Sequence, residues 1–216
     1  MIAVNAKIKN ASHRTANFGL PAFRSESGEV TCPNAGRCAA SCYARQGFYN
    51  MPSVTRAYET RLAFTKAPDF VPRMVEMIEK KRLRAFRWND SGDFYSRDYL
   101  RKAFKVMRAT PDVRHYAYTK QVKLLKSVEE IWPRNFTVIF SLGGKQDSLI
   151  DLKNDRHARV FDSREELRFS GYADASIDDS IAWRSSNHKI GLVYHGQKKN
   201  SFTIAEKREE REKSWN

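Results

Sequence analysis

Short apolar segments alternating with helix-period stretches predict an α/β chain folded as a partial (β/α) barrel. Three observations carry this. Strand and helix patterns alternate from residue 84 onward, the signature of βαβ units on a parallel sheet, and crossovers of that kind are right-handed and curl the sheet. Five strands are supported by pattern, too few to close an eight-stranded barrel. Finally, 216 residues with 41% apolar side chains, among them 13 Phe, 9 Tyr and 4 Trp, are enough for one core and one domain.

The elements follow in order. Residues 1–31 show no sustained period, and Gly19, Pro21 and Gly28 mark an irregular lead-in with a short strand expected near 28–31. Pro52 and Ser53 open a helix over 54–66, carried by Val54, Ala57, Tyr58, Arg61 and Leu62. Pro68 and Asp69 start another, with Phe70, Met74, Met77 and Ile78 on one face. Lys80, Lys81 and Arg82 stand at its end, where positive charge suits the helix dipole. A strand over 84–88 stops in the turn Asn89-Asp90-Ser91-Gly92-Asp93. Tyr99, Leu100, Ala103, Phe104 and Met107 form the stripe of a helix over 96–108, broken by Thr110-Pro111-Asp112. Strands are then expected over 113–118, 136–142, 158–161 and 190–194, with helices over 120–131, 147–155 and 163–169. The stretch 205–213 is a charged helix or tail. No repeat or linker divides the chain: 1–31 is a lead-in, 32–200 the barrel with its cysteines, and 201–216 a charged tail.

Composition narrows the function classes. The aromatic content excludes wholesale disorder, and 10 Gly and 7 Pro exclude collagen-like and low-complexity chains. No apolar run approaches the roughly 18 residues of a membrane span, and the first residues lack a signal-peptide core. A soluble, cytoplasmic protein with no membrane partner is expected. Lys and Arg number 39 against 25 Asp and Glu, a formal charge of +14. Such a surplus points to a polyanionic partner, most simply nucleic acid, against the plainer reading of a basic but unengaged surface.

The three cysteines, Cys32, Cys38 and Cys42, lie within eleven residues and are spaced C-x5-C-x3-C. An odd number in a chain expected to be cytosolic argues against a disulfide framework. Three thiolates on one loop suit three irons of a 4Fe-4S cluster, leaving the fourth iron open to a small ligand, and Pro33 and Gly36 let the loop wrap it. Zinc is the alternative metal, held by the same cysteines and a remote histidine such as His13. The plainest alternative is three buried, inert thiols. The five histidines show no metal-binding spacing and read as structural or surface residues.

The string Cys32-Pro33 through Cys38 to Cys42-Tyr43-Ala44, followed by Asn89-Asp90-Ser91-Gly92-Asp93 and Tyr118-Thr119-Lys120, resembles the phage gene product 88 family over about residues 15–145. That family is itself similar to radical S-adenosylmethionine (SAM) proteins. The resemblance implies a radical-SAM-like fold, a four-iron cluster on Cys32, Cys38 and Cys42, and SAM on the open iron. It also implies an electron donor as partner and, for a phage-encoded chain, the host cytoplasm as location. Radical SAM proteins usually space their thiols C-x3-C-x2-C, which differs from the spacing here.

In a parallel barrel, functional groups gather where the strands end. Asp90, Ser91, Gly92 and Asp93 occupy the place where the resemblance puts the turn that holds the SAM amino group. Read without it, Asp90 or Asp93 equally suits the cap of the next helix. Lys120 follows the next strand and suits a carboxylate or phosphate, or simply opens a helix. Ser141 and Gly143 end a further strand, where glycine permits close backbone approach and Ser141 suits a ribose hydroxyl. Arg45, Arg56 and Lys120 are the expected rim for nucleic acid, with Tyr43, Phe48, Tyr49 and Tyr58 interleaved nearby. The sequence thus reads as a cluster-bearing, radical-SAM-like enzyme acting on a nucleic acid or nucleotide. The alternative is a non-enzymatic nucleic-acid-binding protein stabilised by a cluster or zinc.

Overall fold

A computed structural model describes residues 1–4, 8, 14–128 and 131–194. Its strands are β1 (Thr15–Phe18), β2 (Ala85–Trp88), β3 (Arg114–Thr119), β4 (Phe136–Ser141), β5 (His157–Phe161), β6 (Ala173–Asp174) and β7 (Lys189–Val193). They form one all-parallel sheet in the order β1-β2-β3-β4-β5-β7-β6, curled into a half-barrel. The helices are α1 (Cys38–Ser41), α2 (Pro52–Lys66), α3 (Phe70–Lys80), α4 (Arg97–Ala109), α5 (Val122–Lys126), α6 (Arg164–Phe169) and α7 (Ile181–Arg184).

Alternation along the strands separates two apolar layers. Phe18, Phe86, Trp88, Ala117 and Val138 join the larger cluster, with Leu62, Phe70, Met74, Leu100, Phe104 and Leu125 from the helices. Phe18 packs edge-on against both Phe70 and Trp88, at ring centroids of 5.9 and 6.3 Å. Each such fully buried side chain contributes about 1.5–3 kcal/mol. The other faces of the strands carry a second, smaller cluster of Ala85, Tyr116, Ile139, Ala158 and Ile190, completed by Ala182 of α7.

Several sequence expectations need correction. The lead-in holds β1, which has only Ala16 and Phe18 as apolar residues and so no visible run. The strand expected near 28–31 is a single antiparallel bridge between Arg24 and Val30. The helix expected over 120–131 narrows to α5, and that over 147–155 to a 3-10 turn, Asp147–Leu149. In the latter, Asp147 and Asp151 turn their carboxylates onto backbone N–H groups, which competes with helix. The short elements β6 and α7 have no periodic signal. The stretch 205–213 lies outside the described residues.

Candidate functional site

Because the strands are parallel, each delivers its following loop to the same edge of the half-barrel. The cysteine loop belongs to the connection between β1 and α2 and is fastened across that edge. Thr31 O accepts from Asp93 N at 3.0 Å, Gly143 O from Cys38 N at 3.3 Å, and Asn34 O from Lys145 N at 3.1 Å. Asn34 Nδ2 also donates to Gln121 Oε1 at 2.6 Å. One loop thereby touches the ends of β2, β3 and β4. Glycine makes the approach possible: Gly36 sits at φ +56°, and a Cβ there would lie 2.8 Å from the carbonyl carbon of Gly144.

The thiols of Cys32, Cys38 and Cys42 are free and partly buried. Cys42 hydrogen-bonds Cys38, and this bond, against burial and helped by the Lys120 charge, lowers the Cys38 thiol to about 6. The same bond, together with burial, pushes Cys42 up. Burial pushes Cys32 up to about 12, with the Asp93 charge adding, while the Phe23 N–H at 3.4 Å opposes. The hydrogen bond from Cys42 and the Lys120 charge thus favour the thiolate form at Cys38. Among the described residues, no three His, Cys, Asp or Glu side chains are arranged to hold a single ion. His13 lies outside them.

The turn after β2 separates its two carboxylates. Asp93 is buried, and its Oδ1 accepts from Thr119 Oγ1 (2.6 Å) and Phe94 N (2.7 Å), its Oδ2 from Lys120 N (2.9 Å). Burial raises its pKa against those hydrogen bonds. Asp93 thus ties the end of β2 to that of β3. Neither aspartate caps α4: the cap is Ser96, whose Oγ accepts from Tyr99 N at 3.1 Å.

Asp90 is buried with Oδ1 unpartnered among the described residues, as are Ser91 Oγ and Gln121 Nε2. Gly19, at the end of β1, makes room for it. A Cβ there would collide with the Asp90 carboxylate and come within 2.6 Å of the Tyr58 ring. Gly92, at φ +73°, folds the turn onto Leu20, whose N–H donates to Ser91 O at 2.8 Å.

Lys120 Nζ donates to Ser141 Oγ and Leu142 O, both at 2.8 Å, and to Ser141 O at 3.1 Å. It braces β3 against β4 while its charge stands near Cys38. The Gly143 and Gly144 N–H groups donate to the Asp147 carboxylate at 2.7 and 2.8 Å. Arg45 is exposed, donates to Ala39 O at 2.7 Å and lies 5.5 Å over the Phe23 ring; Arg56 is exposed on α2. Lys120 is thus held against the end of β4, whereas Arg45 and Arg56 stand exposed.

Three features lie beyond the sequence reading. Tyr43 donates its hydroxyl to Asp90 O, and its ring meets Tyr49 edge-on at 5.6 Å, while Tyr49 stacks on Tyr58 at 6.0 Å. The tyrosines were visible as interleaved aromatics, but not their closure around Asp90. Gly19 would have stood out had β1 been recognised. Asp179 had no sequence signal, yet it is fully buried. It pairs with Arg87 at 3.0 Å and accepts from Tyr116 (2.7 Å) and Tyr118 (3.3 Å). Burial alone would lower the Arg87 pKa, but Asp179 and the surrounding tyrosines hold it well above its ordinary value.

Fold and site together define a parallel α/β half-barrel with a three-cysteine loop fastened across its C-terminal edge. No helix among the described residues is long and apolar enough to cross a membrane. The chain belongs to the gene product 88 family, whose profile matches residues 2–216. No curated protein and no solved structure matches it.

Proposed function

We propose that this chain is a radical-SAM-like iron–sulfur enzyme of the cytoplasm, with Cys32, Cys38 and Cys42 as ligands of one 4Fe-4S cluster and the turn after β2 as the seat of SAM. The observation that carries this is the convergence, on one edge of a parallel half-barrel, of three free thiols and a buried carboxylate, Asp90, whose Oδ1 has no partner among the described residues. Three thiols on one loop suit three irons of a cluster that leaves its fourth iron open, and zinc on the same cysteines is the alternative metal.

When bound, such a cluster with an open iron supplies the electron, taken from an external donor, that splits SAM and yields a carbon radical. The chain's own residues do the holding. The Lys120 ammonium favours the thiolate form of Cys38 and offsets part of the negative charge that further thiolates add. Asp90 Oδ1 is an acceptor for the SAM ammonium, and Ser91 Oγ and Gln121 Nε2 offer donors to its carboxylate. Ser141, which accepts from Lys120, keeps its own hydroxyl hydrogen for a ribose. Asp93 is a brace in this reading, its oxygens already engaged.

The second reading, a non-enzymatic nucleic-acid-binding protein with a structural cluster or zinc, draws on the charge of +14. Calorimetry on anaerobically reconstituted protein separates the two. Wild type is expected to bind SAM, and Asp90→Asn to bind it at least tenfold more weakly with unchanged iron content. Iron-loaded wild type that binds no SAM would overturn the enzymatic reading in favour of the second.

A further inference from the structure

We propose that the opposite end of the half-barrel, the edge where the strands begin, binds single-stranded nucleic acid. In strand order, Arg14 stands just before β1, Arg84 just before β2, Arg114 at the first residue of β3 and Arg134 two residues before β4. Backbone bonds fix the row: Arg84 N donates to Arg14 O at 2.8 Å, Arg114 N to Arg84 O at 2.9 Å, and His115 N to Asn135 O at 2.8 Å. Neighbouring strands lie about 4.8 Å apart, so the row steps across the edge at a pitch comparable with the charge spacing of a nucleic-acid strand, about 3.4 Å when stacked. Arg14, Arg84, Arg114 and Arg134 are all exposed. Among the described residues, neither Arg84 nor Arg134 is ion-paired.

The row borders an open cavity of about 540 Å³, lined by Arg84, Arg114, Arg134, Asp112, Asn135 and Trp183, among others. This volume lies in the range of small-molecule pockets and suits one nucleotide unit. Three guanidinium groups face a single carboxylate there, which favours an anion. Trp183, on α7, is half-buried, and the Arg114 guanidinium lies 6.0 Å from its ring centroid. An indole beside arginines is a platform on which a base stacks while phosphates are neutralised. Arg156 positions that platform: its guanidinium donates to the carbonyls of Ala182, Ser185 and Asn187 at 2.8–3.2 Å. Four arginines in line exceed what one mononucleotide needs, so the occupant is the polymer. The inference stands whether or not the thiols hold a cluster.

Fluorescence anisotropy of the full-length chain with labelled 20-nucleotide oligo-dT and oligo-U, across a salt series, tests it. Two triple variants change the charge equally: Arg84→Glu/Arg114→Glu/Arg134→Glu on this edge, and Arg24→Glu/Arg45→Glu/Arg56→Glu by the cysteine loop. The first is expected to lose at least tenfold more affinity than the second and to reduce the log–log salt slope by about 2. Trp183→Leu is expected to lose at least fivefold, with Trp183→Phe near wild type. If the triple variant fails to fold by circular dichroism, exposed Arg134→Glu alone is read, with an expected loss of at least threefold. Equal losses from both triples mean diffuse attraction and overturn the proposal. So do a larger loss from the second triple, tighter binding of a duplex, or full displacement of the oligomer by ATP at equal nucleotide concentration.

Discussion

Removing the Asp179 carboxylate strips the buried Arg87 guanidinium of its ion-pair partner. The Arg87 and Asp179 side chains are 9% and 0% exposed and 3.0 Å apart. Two tyrosine hydroxyls complete the carboxylate's shell. Asp179→Ala leaves a buried guanidinium with no counter-charge, a change that costs about 3–5 kcal/mol where it has been measured in other proteins. For a chain of this size each kcal/mol corresponds to about 2–4 °C, so the expected fall in Tm is about 6–20 °C. The double variant Arg87→Leu/Asp179→Leu buries no charge and is expected to recover most of that loss. Urea and thermal unfolding of wild type, both single variants and the double variant measure the cycle. A loss below about 1 kcal/mol for Asp179→Ala, or a double variant as unstable as the sum of the singles, would show that the buried pair contributes no such charge balance.

Other consequences can be measured separately. His115 is fully buried, accepts from Trp88 Nε1 at 3.1 Å and bonds Thr110 Oγ1 through its other nitrogen at 2.8 Å; burial lowers its pKa to about 3. The unfolded chain therefore binds the extra proton first as pH falls through about 6.5. Stability present above that pH declines below it, by about 2 kcal/mol at pH 5. Urea midpoints at pH 7 and pH 5 should show this drop in wild type and its loss in His115→Gln; equal pH dependence in both would contradict it. Gly36→Ala forces a side chain into φ +56°, which costs about 1–2 kcal/mol, and into the backbone of Gly144. Lifting the loop should speed thiol labelling of the apo protein at least threefold, and an unchanged labelling rate would count against the fastening described.

The legible part of the fold was the part with local apolar pattern. β2 to β5 and β7 each present a short apolar run, and α4 shows its stripe and its Ser96 start. β1 was missed because a four-residue strand with Ala16 and Phe18 has nothing to alternate over, and its partner β2 lies some seventy residues downstream. The helix expected over 147–155 failed because aspartate side chains capture backbone N–H groups there. At the site, the cysteine loop was legible from spacing alone. The contrast between Asp90 and Asp93 was not: both are carboxylates in one turn, and only the tertiary contacts of Thr119 with Asp93 and of Gly19 with Asp90 set them apart. The sequence reading placed nucleic-acid contacts at Arg45, Arg56 and Lys120. The alignment of Arg14, Arg84, Arg114 and Arg134 along the other edge was not legible, because it emerges only once the strands are laid side by side.

Iron and acid-labile sulfide per chain, measured on protein purified and reconstituted without oxygen, test the central reading most directly. About four of each are expected, with both lost in Cys38→Ala. One zinc per chain without sulfide, or a folded protein that takes up no iron, would contradict it.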